Sequence, residues 1–376
     1  KRGASTMIPI SFDLLRPSPP PLVLSLSRVD FLPVPARTAE TASSLLLFTM
    51  TVGLLSRLRC LLPWFGTGGP RGGAATFHRL DALDNYGPAD PSLAAYTAAS
   101  SVRACVGEGI APPFCRGVVL IGGFGDPPSY WDRLLPLLRR RGASIAAGGD
   151  GASPLFILAP RTPGWGRTDF REARCVTRKE WVLAARDSLK VASSLCSHVT
   201  VVAHSTGAPV VAAASSYVTV DRMVFTGPNF LPATRDRSIK RLLVRPVIGK
   251  TITFIKPIIS KRLREGSRPT STISVANHRK GFYLLHFPLH AIREMWLLQD
   301  EVLSGTTEWG VREGVLFVMG EEDKSVGPLD EQVDTLRHLV PEGNIETKIL
   351  RKAAHNLCGE GDTVLEEFAQ LVLDGR

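Results

Sequence analysis

The chain has 376 residues, 44% of them hydrophobic and 21% charged, which excludes a disordered polymer and allows one large domain with extensions or two ordinary domains. Forty-five Lys and Arg against 35 Asp and Glu leave a formal net charge of +10. That surplus favours anionic partners (nucleic acid, acidic membrane surfaces or anionic substrates) without choosing among them.

Six cysteines stand at 60, 105, 115, 175, 196 and 358, none with Cys-x-x-Cys spacing. A zinc knuckle or thioredoxin-type site is therefore not expected, and scattered reduced thiols are. No metal or cofactor is expected.

Residues 1–75 are rich in Pro, Ser and Gly, with Pro17, Pro19, Pro20 and Pro21 close together, and Gly66–Gly73 reads as a linker. No uninterrupted apolar run reaches the ~18 residues of a membrane span. The nearest, Leu45–Phe65, is broken by Arg57 and Arg59. Thr41–Leu80 holds no Asp or Glu but carries Arg57, Arg59, Arg71 and Arg79. Read from Met50, this is a mitochondrial presequence. The other readings are a disordered extension or a short membrane-surface anchor on a cytoplasmic or membrane-peripheral protein. Residues 76–113 show no clear period-two pattern.

From Arg116 the pattern becomes regular. Gly117–Ile121 (GVVLI) is a short, wholly apolar run ending in Gly122-Gly123, as a buried parallel strand should be. Trp131–Arg141 has apolar residues at helical spacing. Leu155–Leu158 is the next strand and Trp181–Leu195 the next amphipathic helix. His198–Ala203 is another buried strand, followed directly by a small-residue helix from Thr206. Met223–Thr226, Val315–Met319 and Thr347–Leu350 read as strands, and Pro328–His338 and Asp362–Leu373 as helices. Strand alternating with helix predicts a mostly parallel sheet covered on both faces. Residues 229–300 interrupt the alternation with helical pieces and read as an inserted cap. The expected organisation is an extension over 1–75, a core over 76–228, the cap over 229–300 and the rest of the core over 301–376.

A serine hydroxyl becomes a nucleophile when a base takes its proton, an acid holds that base and donors await the oxyanion. Ser205 follows a buried strand and precedes a helix. Ala203 and Gly207 flank it at −2 and +2, where a tight strand-turn-helix needs small residues. Asp323 sits in the turn after Val315–Met319, and His355 follows Thr347–Leu350. Their separation of 32 residues holds one helix and one strand.

Residues 116–376 resemble the α/β-hydrolase superfamily of serine hydrolases, whose chain order is Ser, acid, His. Leu120-Ile121-Gly122-Gly123-Phe124-Gly125 is similar to its oxyanion loop, and Pro163-Gly164-Trp165-Gly166-Arg167-Thr168 to its loop after the fourth strand. Gly320-Glu321-Glu322-Asp323 resembles the acid loop and Ala354-His355 the histidine loop. The family usually has His where this chain has Gly122 and Asp where it has Arg161.

The resemblance implies an α/β-hydrolase fold with a helical cap insertion. It implies a catalytic Ser205, Asp323 and His355, and an oxyanion hole from the backbone N–H groups of Phe124 and Thr206. The implied activity is esterase- or lipase-like cleavage of a carboxylic ester in a small-molecule substrate, a lipid-like acyl ester included, through an acyl-enzyme. Two alternatives stay open: an inactive hydrolase-fold binding or scaffold protein, and an acyltransferase using the same triad.

Within 229–300 there are fourteen Lys and Arg against four Asp and Glu. Leu242–Leu263 mixes Leu, Ile, Val and Phe with five cations, and Arg241 directly precedes it. Such a segment can lie on an anionic membrane, apolar side down, or form a solvated basic face over an ordinary pocket. Nucleic acid is not expected, because aromatics are sparse and no known module is visible.

Overall fold

The computed structural model describes residues 103–105, 114–147, 155–165, 175–255, 258–260, 286–305, 309–340 and 344–374. The leader expected over 1–75, its linker, and the basic residues 261–285 lie outside them.

In chain order the elements are β1 (Arg103–Cys105), β2 (Phe114–Ile121), α1 (Leu135–Ala147), β3 (Leu155–Ala159), α2 (Arg178–Leu195), β4 (Cys196–His204), α3 (Gly207–Ser215) and β5 (Val220–Thr226). Then come α4 (Arg237–Leu243), α5 (Pro246–Ile255), β6 (Ile258–Ser260), β7 (His286–Pro288), α6 (Leu289–Leu303), β8 (Val311–Gly320), α7 (Leu329–Leu336), β9 (Ile345–Leu350) and α8 (Asp362–Asp374). Among the described residues seven strands form one sheet in the order β1-β3-β2-β4-β5-β8-β9. β1 pairs antiparallel with β3 and the other neighbours are parallel. β6 and β7 make a separate antiparallel ribbon.

The apolar strand runs are continuous because both faces of the sheet are buried. Side chains alternate between faces. Val118, Leu120, Val202 and Val224 pack into one core with residues of α1 and α8. Val119, Ile121, Val201 and Phe225 pack into the other with α2, α3 and α6.

Two expectations shift. The helix expected from Trp131 begins at Leu135, after a 3-10 turn over Pro128–Trp131. Pro136 is the reason: inside a helix its missing N–H would break a hydrogen bond, whereas the first turn tolerates it. The second shift concerns α6, which lies in the range expected as a cap. It packs against α2 and α3 and buries Leu289, Met295, Trp296, Leu298 and Val302, as a core helix does.

Candidate active site

The turns that follow β2, β4, β5, β8 and β9 all lie at the carboxyl edge of the sheet, where open α/β sheets bind their ligands. β4 ends at His204 and α3 begins at Gly207, so the chain turns within two residues. Ser205 takes φ +50° there, a left-handed conformation that costs a non-glycine residue about 1–3 kcal/mol. Three backbone bonds hold it: the Ser205 N–H donates to the Thr226 carbonyl at 2.9 Å, and the Ala208 and Asn229 N–H groups each donate to the Ser205 carbonyl at 3.1 Å. The residue at +2 must be glycine, because a Cβ on Gly207 would stand 2.7 Å from the Gly122 carbonyl oxygen and 2.9 Å from that of Ile121.

The structure brings Ser205, His355 and Asp323 together. Ser205 Oγ lies 3.0 Å from His355 Nε2, and His355 Nδ1 lies 2.7 Å from Asp323 Oδ2. A carboxylate only accepts, so Nδ1 carries the proton and Nε2 is left to accept from the serine hydroxyl. The Asp323 side chain is wholly buried. Its second oxygen accepts from the Ser325 N–H at 2.8 Å, so neither oxygen is left without a donor.

Glycines let these turns approach each other. A Cβ on Gly227, at φ +49°, would stand 2.9 Å from His355 Nδ1, and one on Gly320 would overlap the carbonyl oxygens of Ala353 and Ala354.

Thr206 follows the serine in the chain, and Phe124 follows Gly123, on which a Cβ would stand 3.0 Å from Ser205 Cβ. Phe124 lies in a turn closed by the Asp126 N–H donating to the Gly123 carbonyl at 3.0 Å. That turn makes no use of Phe124's own N–H. Thr206 precedes the first residue of α3, where helix N–H groups have no intrahelical acceptor and the helix dipole is positive. The Phe124 ring meets Trp165 at 5.8 Å, Trp181 at 6.2 Å and Phe287 at 5.4 Å between centroids.

Four residues that the sequence reading left unassigned help to build this edge. Asp126 accepts from the Gly123 N–H at 2.8 Å and so holds the Gly-rich turn. His204 stacks on Tyr130 at 4.8 Å and meets the His355 ring at 4.8 Å. Its Nδ1 lies 3.1 Å from both the Thr226 carbonyl and the Thr226 hydroxyl. Burial first, and then the neighbouring His355, push the His204 pKa well below the ordinary imidazole value. His204 Nε2 lies 3.8 Å from Asp126 Oδ2. Asn229 and Gln299, the remaining two, join the edge through hydrogen bonds from the turn after β5 and from α6. Their signal in the sequence is no more than a polar residue in an apolar context.

Among the described residues no group of three His, Cys, Asp or Glu could hold a metal ion. A groove of about 430 Å³ lined by α2, α3 and α6 residues, Val182, Tyr217 and Leu298 among them, contains none of the residues above.

Two solved structures show the same fold at low sequence identity. One is the monoacylglycerol lipase of Paleococcus ferrophilus, at 15% identity over 73% of this chain and 96% of that one, with a TM-score of 0.53. The other is a soluble variant of the monoglyceride lipase of Saccharomyces cerevisiae, solved with a substrate analogue, at 14% identity over 73% and 91% of the two chains and a TM-score of 0.54. No curated protein matches the chain in sequence. The "Alpha/beta hydrolase family" matches residues 118–370, from β2 into α8. With that match over two thirds of its length, and a mostly parallel sheet flanked by helices, the chain belongs to the alpha/beta hydrolase family.

Proposed function

We propose that this hydrolase cleaves carboxylic esters with apolar acyl groups, through an acyl-enzyme on Ser205. The observation that carries the reading is the pair of contacts from Ser205 Oγ to His355 Nε2 at 3.0 Å and from His355 Nδ1 to Asp323 Oδ2 at 2.7 Å.

Ser205 Oγ attacks the ester carbonyl while its proton passes to His355 Nε2. Asp323 keeps the ring oriented and stabilises the imidazolium that results. The carbonyl oxygen gains a negative charge, which the N–H groups of Phe124 and Thr206 receive. His355 then protonates the departing alcohol oxygen and the acyl group stays on Ser205. Water attacks that acyl carbon, its proton going to Nε2. Collapse releases the carboxylic acid and returns the proton to Oγ. The half-buried Phe124 and Phe287, in ring contact with each other, favour an apolar acyl chain beside the serine.

A second observation favours delivery of substrate from an anionic membrane surface. Ile239, Leu242, Val247, Ile248 and Ile255 of α4 and α5 are exposed, and so are the neighbouring Arg235, Arg241, Arg245 and Lys250. Apolar side chains ringed by cations suit an anionic bilayer.

The first test is labelling with a fluorophosphonate, followed by turnover of monoglycerides and of a soluble short-chain ester. Wild type is expected to label and turn over, and Ser205→Ala to do neither. Wild type that fails to label and to hydrolyse any ester points to an inactive binding protein instead.

A further inference from the structure

We infer that Asn229 and Gln299 are positioning residues that aim the Thr206 N–H at the oxyanion, and that Lys240 anchors them to helix α4. The inference rests on the reading of Ser205 as nucleophile and Thr206 as an oxyanion donor.

The peptide unit between Ser205 and Thr206 is planar, with its C=O and N–H pointing to opposite sides. Whatever fixes the carbonyl therefore fixes the direction of the N–H. The Ser205 carbonyl accepts from two backbone donors, Ala208 N–H and Asn229 N–H, each at 3.1 Å. Ala208 belongs to α3 itself. Asn229 comes from the turn after β5 and ties the peptide to a second element. Its side chain also reaches the next residue, because Nδ2 donates to Thr206 Oγ1 at 3.3 Å. Thr206 Oγ1 in turn donates to Met295 Sδ at 3.2 Å. Asn229 thus grips both sides of the peptide unit, through its backbone at Ser205 and its side chain at Thr206.

Gln299 grips Asn229 in the same double way. Its Nε2 donates to the Asn229 backbone oxygen at 2.7 Å and to Asn229 Oδ1 at 2.9 Å. With Oδ1 as acceptor, Nδ2 is turned toward Thr206, so Gln299 sets the amide orientation on which the Thr206 contact depends. Gln299 has no exposed surface. Its Oε1 accepts from Lys240 Nζ at 3.1 Å, and Lys240 pairs with Asp300 at 2.7 Å. A buried amide used at both ends by partners on different elements has one orientation open to it. The chain of contacts runs from α4 through α6 to the residue that follows the nucleophile.

The consequence is specific. Loss of the grip leaves the nucleophile, base and acid in place and disturbs the direction of one donor. Removing such a donor outright lowers kcat on the order of 10²–10³-fold, and a misplaced group loses up to ~10²-fold. Two variants test this. Asn229→Ala removes the side chain and keeps the backbone N–H. Gln299→Glu keeps an acceptor for Lys240 and loses the donor to Asn229.

Both are expected to lower kcat for a soluble ester roughly 10- to 100-fold with KM within about threefold of wild type. An aryl trifluoromethyl ketone, whose serine adduct carries the oxyanion, should lose affinity by the same factor as kcat/KM in each variant. A folded variant with kcat within threefold of wild type overturns the inference. So does a loss of kcat with ketone affinity unchanged, which would make the role structural. Wild type that neither hydrolyses esters nor binds the ketone overturns the hydrolase reading, and this inference falls with it.

Discussion

At the carboxyl edge of the sheet, the Asp323 side chain, Thr206 and Gln299 are sealed from solvent, and each side-chain polar atom of Asp323 and Gln299 has a partner, within its own turn for Asp323 Oδ1 and on another turn or helix for the rest. Along α4 and α5 the reverse holds. Ile255 is 74% exposed, and Arg241, Arg245 and Lys250 along the same stretch face solvent. One helix belongs to both regions. Lys240 of α4 points inward to Gln299 while Ile239 and Arg241, on either side of it, face outward. The inner region is specified by hydrogen-bond geometry, so single-atom changes there should have large effects. The outer region is specified by composition, so its effects should be small and should add.

The largest expected effect belongs to Ser205. Ser205→Ala should lower ester turnover on the order of 10⁶-fold. Asp323→Asn comes next. The amide presents an N–H where Nδ1–H now donates, which favours the imidazole tautomer with its proton on Nε2. That tautomer cannot take the serine proton, and kcat should fall on the order of 10⁴-fold. Circular dichroism and KM should stay near wild type. If Asp323→Asn is nearly as active as wild type, another carboxylate orients His355 and the inner region is less exacting than its distances imply.

How far these regions were legible in the sequence follows from the same contrast. Buried parallel strands announce themselves as continuous apolar runs, so β2, β4, β5 and β8 could be read directly. Ser205, Asp323 and His355 each follow such a run, which made them visible as a set. β1, with three residues, is too short to show any period. The start of α1 was displaced by Pro136, a local rule that competes with helical spacing. Most of α6 falls in the range that reads as a cap because helical pieces interrupt the strand–helix alternation there, yet its own apolar face packs on α2 and α3. Asn229 and Gln299 were out of reach for a different reason. They lie 70 residues apart, and nothing in a single amide side chain signals that it will be buried. Contacts of that kind come from topology, and periodicity carries no record of them.

His204 gives a smaller effect, read as stability against pH. Its folded-state pKa is depressed by burial and by His355, so the unfolded chain binds a proton below about pH 6.5 that the folded one does not. Stability contributed by the neutral ring is therefore present above that pH and is lost as pH falls through it toward the lower folded pKa. The slope from this one group approaches about 1.4 kcal/mol per pH unit. His204→Phe keeps an aromatic ring against Tyr130 and cannot titrate. Urea unfolding from pH 7.5 to 5.0 should show the variant with a shallower acid-side loss than wild type. Equal slopes would mean that His204 takes up its proton in the folded protein.

The outer region should respond in smaller, additive steps. Near an anionic surface each Lys or Arg contributes about 1 kcal/mol of binding, which is roughly a fivefold change in affinity. Arg241→Ala and Arg245→Ala should each weaken binding to phosphatidylglycerol vesicles by about that factor, with the effect shrinking as salt is raised. Ile239→Glu should weaken it further, by removing apolar area and adding the wrong charge. Tyr217 is 65% exposed but lies at the end of α3, beside the groove between α2, α3 and α6. Tyr217→Ser should therefore leave vesicle binding as it is. None of these variants should change turnover of a soluble short-chain ester, since none reaches Gln299 or the serine. If wild type binds neutral phosphatidylcholine vesicles as tightly as anionic ones at low salt, the cations along α4 and α5 are a solvated face. The contrast would then reduce to a rigid site beneath an unengaged surface.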